Sequence, residues 1–418
     1  MPAYRVNDST IDVENPEEQT RLTDLHARGQ RLQCTCVTPP LEMYLAKTTA
    51  GVIPKRMPGT GPLHAPTCDS YEPPLAMSGL APLMGTAILE DPITGVTQLR
   101  LAFSMSRQPG AQPPPPGTGE PADTIKGPRT KLTMRGLLHY LWEQAQLTHW
   151  QPRWDGKRSW GAVRTQLLDA AGGKTAASGP LSARLYIPET FRAEQKAEIA
   201  LRRSKRFAEL APKYANSRDA MMILIGELKN ITTSLSGFHL WIKHAPDYPF
   251  ALSAELKKKL DKRFGHEFEM RDQNPNRHLI VAATFSVNDG DYAHIDEITV
   301  MVVNSNWLPI EAASDEALIA ALTDAKRTFY RVLRYALPQA TPIPTAIATD
   351  THPAPVGLYI IPARADDAYF DALDDLTRQT TYPAWFWQPH RDPEINLPAL
   401  RGFTAMPVPR PPAAEPDS

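Results

Sequence analysis

Proline constrains this chain more than any other residue type. It occupies 42 of the 418 positions, about twice the ~5% of an average protein. Each proline fixes φ and removes a backbone donor, so regular helices and central strands must lie between prolines. We therefore expect long irregular connections rather than a mostly helical protein. The densest stretch, Gln108–Pro128, contains Pro113–Pro116 in a row and four glycines, which predicts a linker or disordered loop.

Composition and charge narrow the class of protein. Hydrophobic residues make up 42% of the chain, enough for a real core and too many for wholesale disorder. The net charge is −1, so the overall charge of the chain does not indicate a polyanion binder. The longest apolar runs fall well short of the ~18 residues of a membrane span, and the N-terminus lacks an apolar signal region. The three cysteines cannot all pair, and we expect a protein of the reducing cytoplasm with no membrane contact.

Shifts in composition divide the chain into five segments and predict an α+β fold. The prediction is a zinc-binding β-rich module at 1–107, a Pro/Gly-rich linker at 108–128, a basic helical module at 129–217, a mixed α/β sheet domain at 218–390 and a Pro-rich tail at 391–418.

The central module is predicted to be winged-helix-like. Apolar residues from Met134 to Ala145 follow helical spacing, which is typical of an amphipathic helix. Ser159 is a suitable N-cap for a second helix that ends at Gly172. A strand at Leu181–Ile187 and a charged helix at Phe191–Leu210 complete the module.

The C-terminal domain is predicted to repeat the order strand, strand, helix three times before a last strand. The predicted strands are Met221–Lys229, Phe238–Lys243, His278–Val287, Ile295–Asn304, Pro344–Thr349, Val356–Ile361 and Ala384–Trp387, and the helices are Ser253–Phe264, with Gly265 as its stop, Ser314–Tyr335 and Asp366–Arg378.

A metal site is predicted from the three cysteines and one histidine. The pairs Cys34/Cys36 and His64/Cys68 are separated by 27 residues, and zinc takes thiolate and imidazole ligands from two such local pairs. The alternative is three buried or incidental cysteines near a surface histidine. Four protein ligands leave no position for water, so we expect a structural zinc rather than a catalytic one.

A basic, tryptophan-rich block suggests nucleic-acid contact. Residues 126–210 carry 16 Lys and Arg against 7 Asp and Glu, and four of the eight tryptophans. Cations interleaved with aromatic rings suit phosphates and unpaired bases. The alternative for Trp150 and Trp154 is packing in the core. The alternative for the cations at 202–206 is a solvated helix face. The candidate contacts are Trp150, Arg153, Trp154, Lys157, Arg158, Arg202, Arg203, Lys205 and Arg206.

A weaker pattern suggests a nuclease. Glu227-Leu-Lys229 on a predicted strand is the second half of a restriction-endonuclease-type metal site. The partner carboxylate is missing from its usual place, with Asp219 the nearest and Asp247 or Asp350 as distant candidates. The simpler interpretation is an exposed cross-strand pair, so we predict that Glu227 and Lys229 are structural.

Several stretches together resemble a known family. They are CTC…EMYLAK…KRMPGTGPLHAPTC, MRGLLHYLWEQAQLTHWQPRWDGKRSWGAVRTQLLDAA, ILIGELKN, WIKHAPDYPF and TDTHPAPVGLYI. They are similar to the domain of unknown function eleven seventy-three, a family of bacterial proteins carried on plasmids and integrative elements. The resemblance implies a mobile-element setting, with other mobile-element proteins as possible partners, and no established reaction.

These observations lead to one expected function and two alternatives. We expect a cytoplasmic, zinc-containing, nucleic-acid-associated accessory protein, without enzymatic activity and with DNA as the favoured partner. The alternatives are a metal-dependent nuclease using Glu227 and Lys229, and a protein-interaction scaffold in conjugation machinery.

Overall fold

The computed structural model describes residues 4–410 except positions 8, 14, 49–50, 92–93, 108–129, 211–218, 288–292 and 336. The predicted linker at 108–128 and the last part of the predicted tail, 411–418, therefore lie outside the described residues. The rest of that tail, 391–410, contains no helix or strand.

An antiparallel five-stranded sheet forms the N-terminal module. Its order is β2-β1-β3-β4-β5, and helix α1 (Gln19–Ala27) follows a short 3-10 turn whose first residues are capped by the Asn15 side chain. Leu22 and Leu32 are fully buried in its core. The strands are β1 (Tyr4–Val6), β2 (Ser9–Ile11), β3 (Leu32–Cys34), β4 (Leu41–Thr48) and β5 (Gly51–Arg56).

The segment that follows is built of short 3-10 turns and short strands. The hairpin near residue 90 consists of two antiparallel strands of three residues each. The strands here are β6 (Ile88–Glu90), β7 (Thr97–Leu99) and β8 (Ser106–Arg107).

The central helices begin at side-chain caps, of which Ser159 is the predicted one. Thr133 accepts a hydrogen bond from the backbone N–H of Gly136, and Ser159 accepts one from Ala162. The predicted strand at Leu181–Ile187 is wrong over its first half, because Leu181–Arg184 forms a 3-10 turn. The elements are α2 (Met134–Gln144), β9 (His149–Trp150), α3 (Trp160–Ala171), β10 (Lys174–Ala176), β11 (Gly179–Pro180), β12 (Leu185–Tyr186) and α4 (Lys196–Ala208). The winged-helix-like arrangement stays a prediction.

Five long strands close into a barrel. In order around the barrel they are β14-β15-β16-β18-β17, and β17 pairs back with β14. The β16–β18 pair is parallel and the other four pairs are antiparallel. The elements of this region are β13 (Asp219–Ala220), β14 (Met222–Ser234), β15 (Gly237–Ile242), β16 (Ala245–Leu252), α5 (Ala254–Gln273), β17 (His278–Val287) and β18 (Ala293–Val303).

Two features of the barrel correct the sequence prediction. Strand β16 is missing from the predicted order, because prolines at 246 and 249 argue against a strand. Helix α5 continues through Gly265 to Gln273, with a kink at Phe264, whose φ of −124° is not helical. The first predicted unit is therefore three strands and a helix.

A second sheet completes the C-terminal region in the order β22-β21-β20-β19-β9. The helix predicted over Ser314–Tyr335 is wrong beyond Asp324, because Phe329–Arg331 is a buried strand. The elements are α6 (Ala313–Asp324), β19 (Phe329–Arg331), β20 (Ala346–Ala348), β21 (Val356–Ile360), α7 (Asp367–Gln379) and β22 (Ala384–Trp387).

Strands of the central segment pair with strands of the C-terminal segment. Strand β9 is the edge of the second sheet, and β12 pairs in parallel with β14. One apolar cluster also joins α2 and α3 to the outer side of β14, β17 and β18. The predicted boundary at 217/218 stays a prediction, but the two segments it separates share a core.

Substitution of two glycines, one tightly packed and one with open space around it, tests the packing of these segments. A Cβ on Gly79 would lie 2.4 Å from the carbonyl carbon and oxygen of Arg334. Because backbone cannot move aside cheaply, we expect Gly79→Ala to lower the free energy of unfolding by about 1–3 kcal/mol. A Cβ on Gly265 meets nothing within 4 Å, so Gly265→Ala inside α5 should raise it by about 0.5–1 kcal/mol.

Urea unfolding of the two variants measures both effects. Equal effects of the two substitutions would contradict the packing described here.

Candidate metal centre

Two short segments of the N-terminal module bring the four predicted ligands together. Cys34 is the last residue of β3, and Cys36 follows it by two residues. His64 ends the 3-10 turn Gly61–Leu63, and its N–H donates to the Gly61 carbonyl. Cys68 closes the next turn, where its N–H donates to the Ala65 carbonyl at 2.8 Å.

The four donor atoms form one compact cluster. The sulfur atoms of Cys34 and Cys68 lie 3.8 Å apart. His64 Nδ1 lies 3.3 Å from the Cys36 sulfur and 3.7 Å from the Cys68 sulfur. All four ligand atoms lie within 4.8 Å of one another, and three of the residues are buried. The predicted set can therefore hold a metal ion.

Backbone groups and burial act on the thiols in opposite directions. The N–H groups of Ala65 and Ser70 donate to the sulfurs of Cys36 and Cys68, at 3.5 and 3.4 Å. The hydrogen bond from Cys68 holds the pKa of Cys34 well below its ordinary value, whereas burial raises the pKa of Cys36. A cation among them would favour the thiolate form of all three.

Asp69, the residue after the last ligand, connects the cluster to residues 149–158, the tryptophan-rich loop, which contains Trp150 and Trp154. Its Oδ1 accepts hydrogen bonds from Gln151 Nε2 at 3.0 Å and Arg153 Nη2 at 3.3 Å. A second contact lies nearby, where the hydroxyls of Tyr71 and Tyr382 are 2.7 Å apart. The position of the loop therefore depends on the chain segment that carries Cys68.

The loop contains both buried and exposed candidates for nucleic-acid contact. Trp150 is 1% exposed and belongs to the core, which favours the core-packing alternative for this ring. Arg158 lies over the rings of Trp150 and Trp154 and donates to the carbonyls of Leu147, His149 and Asn306. Trp154 is partly buried, while Arg153 and Lys157 are exposed. The surface available to a ligand is therefore smaller than the sequence suggests.

Most of the candidate cations on helix α4 already contact carboxylates. Arg202 donates to Glu189 through Nε and Nη2. Arg203 is buried and donates to both oxygens of Asp247, at 3.0 and 2.8 Å. Arg206 donates to Glu209 and to two backbone carbonyls in the 3-10 turn Leu181–Arg184. Lys205 is exposed.

The buried Arg203–Asp247 pair yields a prediction on stability. We expect Asp247→Asn to lower the free energy of unfolding at pH 7 by about 3–5 kcal/mol, because Arg203 keeps its charge without a counter-ion. The hydrogen bonds from Arg203 hold the pKa of Asp247 below its ordinary value. The pair therefore stabilises fully above that ordinary value, about 3.9, and less as the pH falls through the lowered pKa.

Urea unfolding at pH 7 and pH 3 measures this effect. The difference between wild type and Asp247→Asn should shrink at pH 3, and a pH-independent difference would contradict the assignment. Arg202→Gln, at an exposed pair, is the control and should change stability by less than about 1 kcal/mol.

Glu227 has different partners from those the nuclease pattern implies. Its Oε1 accepts from Lys243 Nζ at 3.0 Å and His278 Nδ1 at 2.8 Å. Burial alone would raise the pKa of Glu227, but the hydrogen bonds from His278 and Lys243 outweigh it and lower the pKa. Glu227 is buried and Lys229 is exposed, so they do not form the expected exposed pair. His278 is 51 residues away, and no local pattern in the sequence identifies it.

Of the residues considered as second metal ligands, two are held by arginines and the third lies on a separate strand. Asp219 belongs to the separate strand β13, which pairs with β8. Asp247 is held by Arg203, and Asp350 is held by Arg327. In the described part of the chain, the Cys34/Cys36/His64/Cys68 cluster is the one group of three or more residues that could hold a metal.

The fold and the site define a mixed α+β protein with a Cys3His cluster. The chain belongs to DUF1173, a family of proteins of unknown function. The model of this family matches residues 4–390. The resemblance found in the sequence is thereby confirmed. No curated protein and no solved structure matches the chain. Among the described helices, none has the length and apolar character needed to cross a membrane.

Proposed function

We propose that the protein is a zinc-containing, nucleic-acid-associated accessory protein of a bacterial mobile element, and that its zinc is structural. The observation that carries the zinc assignment is the spacing of the four donor atoms. Zinc bound at ~2.3 Å to sulfur and ~2.0–2.1 Å to nitrogen is tetrahedral in structural sites.

Three of the six edges of the cluster are close in length to those of such a tetrahedron. Zinc–sulfur bonds of ~2.3 Å give a sulfur–sulfur edge of about 3.8 Å, and a sulfur–nitrogen edge of about 3.5 Å. The Cys34–Cys68 distance is 3.8 Å, and the two distances from His64 Nδ1 to sulfur, 3.3 and 3.7 Å, lie on either side of the second value. Three thiolates and one imidazole also match zinc better than the oxygen-seeking Mg²⁺ or Ca²⁺.

A structural role follows from the number of protein ligands. Four donors from the chain complete a tetrahedral shell and leave no position for a reacting water. The bound ion would connect β3 to the turn that carries His64 and Cys68, and would fix Asp69 opposite Arg153.

Zinc content tests this proposal directly. We expect about one zinc ion per purified chain, measured by elemental analysis, and loss of most of it in Cys36→Ser and Cys68→Ser. Metal loss should loosen the segment before residue 107, and limited proteolysis should then cut it faster. Stoichiometric zinc that survives replacement of all three cysteines would rule the site out.

The nucleic-acid part of the proposal is supported by the loop next to the metal centre. Arg153 and Lys157 are exposed, and Trp154 lies beside them under the Arg153 guanidinium at 5.5 Å. Cations of this kind attract phosphates, and each contact releases counterions. The Asp69 contacts would hold this loop in one position relative to the metal centre.

Binding should therefore depend steeply on salt. We expect Arg153→Ala with Lys157→Ala to weaken binding to a fluorescent DNA and to lower the slope of log affinity against log salt by about 1–2. Lys258→Ala with Lys262→Ala removes the same charge from exposed positions on α5 and is the matched control. Equal losses of DNA affinity in the two double variants would contradict the assignment of binding to the tryptophan-rich loop.

The two alternatives differ from this proposal in measurable ways. A metal-dependent nuclease needs a second carboxylate beside Glu227, and Asp247 and Asp350 are both held by arginines. A scaffold for other mobile-element proteins would bind zinc and no nucleic acid at low salt.

A further inference from the structure

We propose that the outer face of strands β15 and β16 binds a single-stranded nucleic acid, with an unpaired base stacked on Trp241. This inference rests on the proposed association with nucleic acid and assigns it to a second surface.

The barrel has the topology of an OB-fold. Its five strands follow the order first, second, third, fifth, fourth and back to first, with the third and fifth parallel. Helix α5 lies between the third strand and the fourth. Barrels of this kind bind oligonucleotides or oligosaccharides on the face of their second and third strands. In this protein those strands are β15 and β16.

Side chains alternate between buried and partly exposed over the second half of β15. Leu240 and Ile242 are fully buried in the core. Their neighbours His239, Trp241 and Lys243 therefore point to the outer face, where they are partly or fully exposed.

Trp241 lies at the centre of that outer face. Its neighbours in the sheet are Asn230 on β14 and Pro249 on β16. Its Nε1 donates to Thr232 Oγ1 at 2.9 Å, and the His239 ring meets it edge-on at 6.0 Å. The hydrogen bond orients the indole, and a partly exposed aromatic ring on a sheet is the usual platform for an unpaired base.

The charges on this face suit a phosphate backbone. Lys243 continues the β15 row, and Lys229 is exposed on the neighbouring strand. The two acidic groups beside them already have cationic partners. Lys243 and His278 both contact Glu227, so Lys243 shares its charge with that carboxylate, and Arg203 holds Asp247. A polyanion therefore meets no unpaired carboxylate among these neighbours, which favours a nucleic acid over an oligosaccharide or a protein.

The connection between β14 and β15 adds an apolar group at the end of this face. Leu235, at its tip, is fully exposed. The loop between the first two strands of an OB-fold contributes to its ligand site, and a side chain there can contact a second base.

Oligonucleotides of about 15 nucleotides, near the upper site size of one OB-fold, are the probes. Fluorescence anisotropy compares oligo(dT), oligo(rU) and a duplex of equal length. We expect Trp241→Leu to weaken single-strand binding roughly tenfold or more, with the duplex bound at least tenfold more weakly than the single strand. Leu235→Ser, at a position where folding cannot be affected by lost burial, should weaken it several-fold, and Leu201→Ser on the exposed face of α4 is its control.

The outcomes separate this proposal from the preceding one. Photo-crosslinking of an iodouracil oligonucleotide should label the peptide that contains Trp241. Normal affinity in folded Trp241→Leu and in Leu235→Ser, with loss in the Arg153/Lys157 variant, would overturn the barrel site and keep the proposed function. Duplex binding as tight as single-strand binding would also overturn it. Absence of all binding at low salt would overturn both, and the comparison of oligo(dT) with oligo(rU) shows which of the two polymers this face prefers.

Discussion

Strand β14 is the element on which the rest of the C-terminal structure depends, because it pairs with three other strands. Its first half pairs with β17 on one side and β12 on the other, and its second half pairs with β15. Residues Met222–Leu228 are all buried, since the barrel core covers one face and the α2/α3 cluster covers the other. The packing of α2 and α3 against this strand ends near Glu227, and the residues after Leu228 are mostly exposed. The same strand therefore builds a core at one end and an open surface at the other.

Local patterns in the sequence predict local structure well. The cap at Ser159, the helix from Met134 and the last strand at Ala384–Trp387 all occur as expected, because each depends on neighbours within a few residues. The metal cluster is predictable for the same reason, since the two members of each ligand pair lie only two and four positions apart in the chain. In contrast, closure of the barrel depends on pairing between β14 and β17, whose paired residues are distant in the chain, and no local pattern reports it.

The basic block shows why charge alone does not identify a binding surface. Arg158 and Arg203 contribute to the same positive count as Arg153 and Lys157, but the first two are desolvated inside the protein. Arg158 donates to backbone carbonyls of several segments, and Arg203 neutralises Asp247. An arginine fork suits both tasks as well as it suits phosphate. The sequence cannot separate these roles, because two of these acceptors, Asn306 and Asp247, lie 148 and 44 residues away from the arginines that they bind.

The size of the N-terminal core gives a physical reason for a metal at this place. The apolar cluster around Leu22, Leu32 and Met43 is confined to residues 4–68 and includes the side chains of Cys34 and Cys68. A core of this size supplies only a few kcal/mol, and small modules of this kind use a metal or disulfides in addition. A disulfide would join two of the three cysteines and leave His64 and the third cysteine without a role. A metal ion would use all four, and it would stabilise the turn that carries Asp69 at the point where the module meets the rest of the protein.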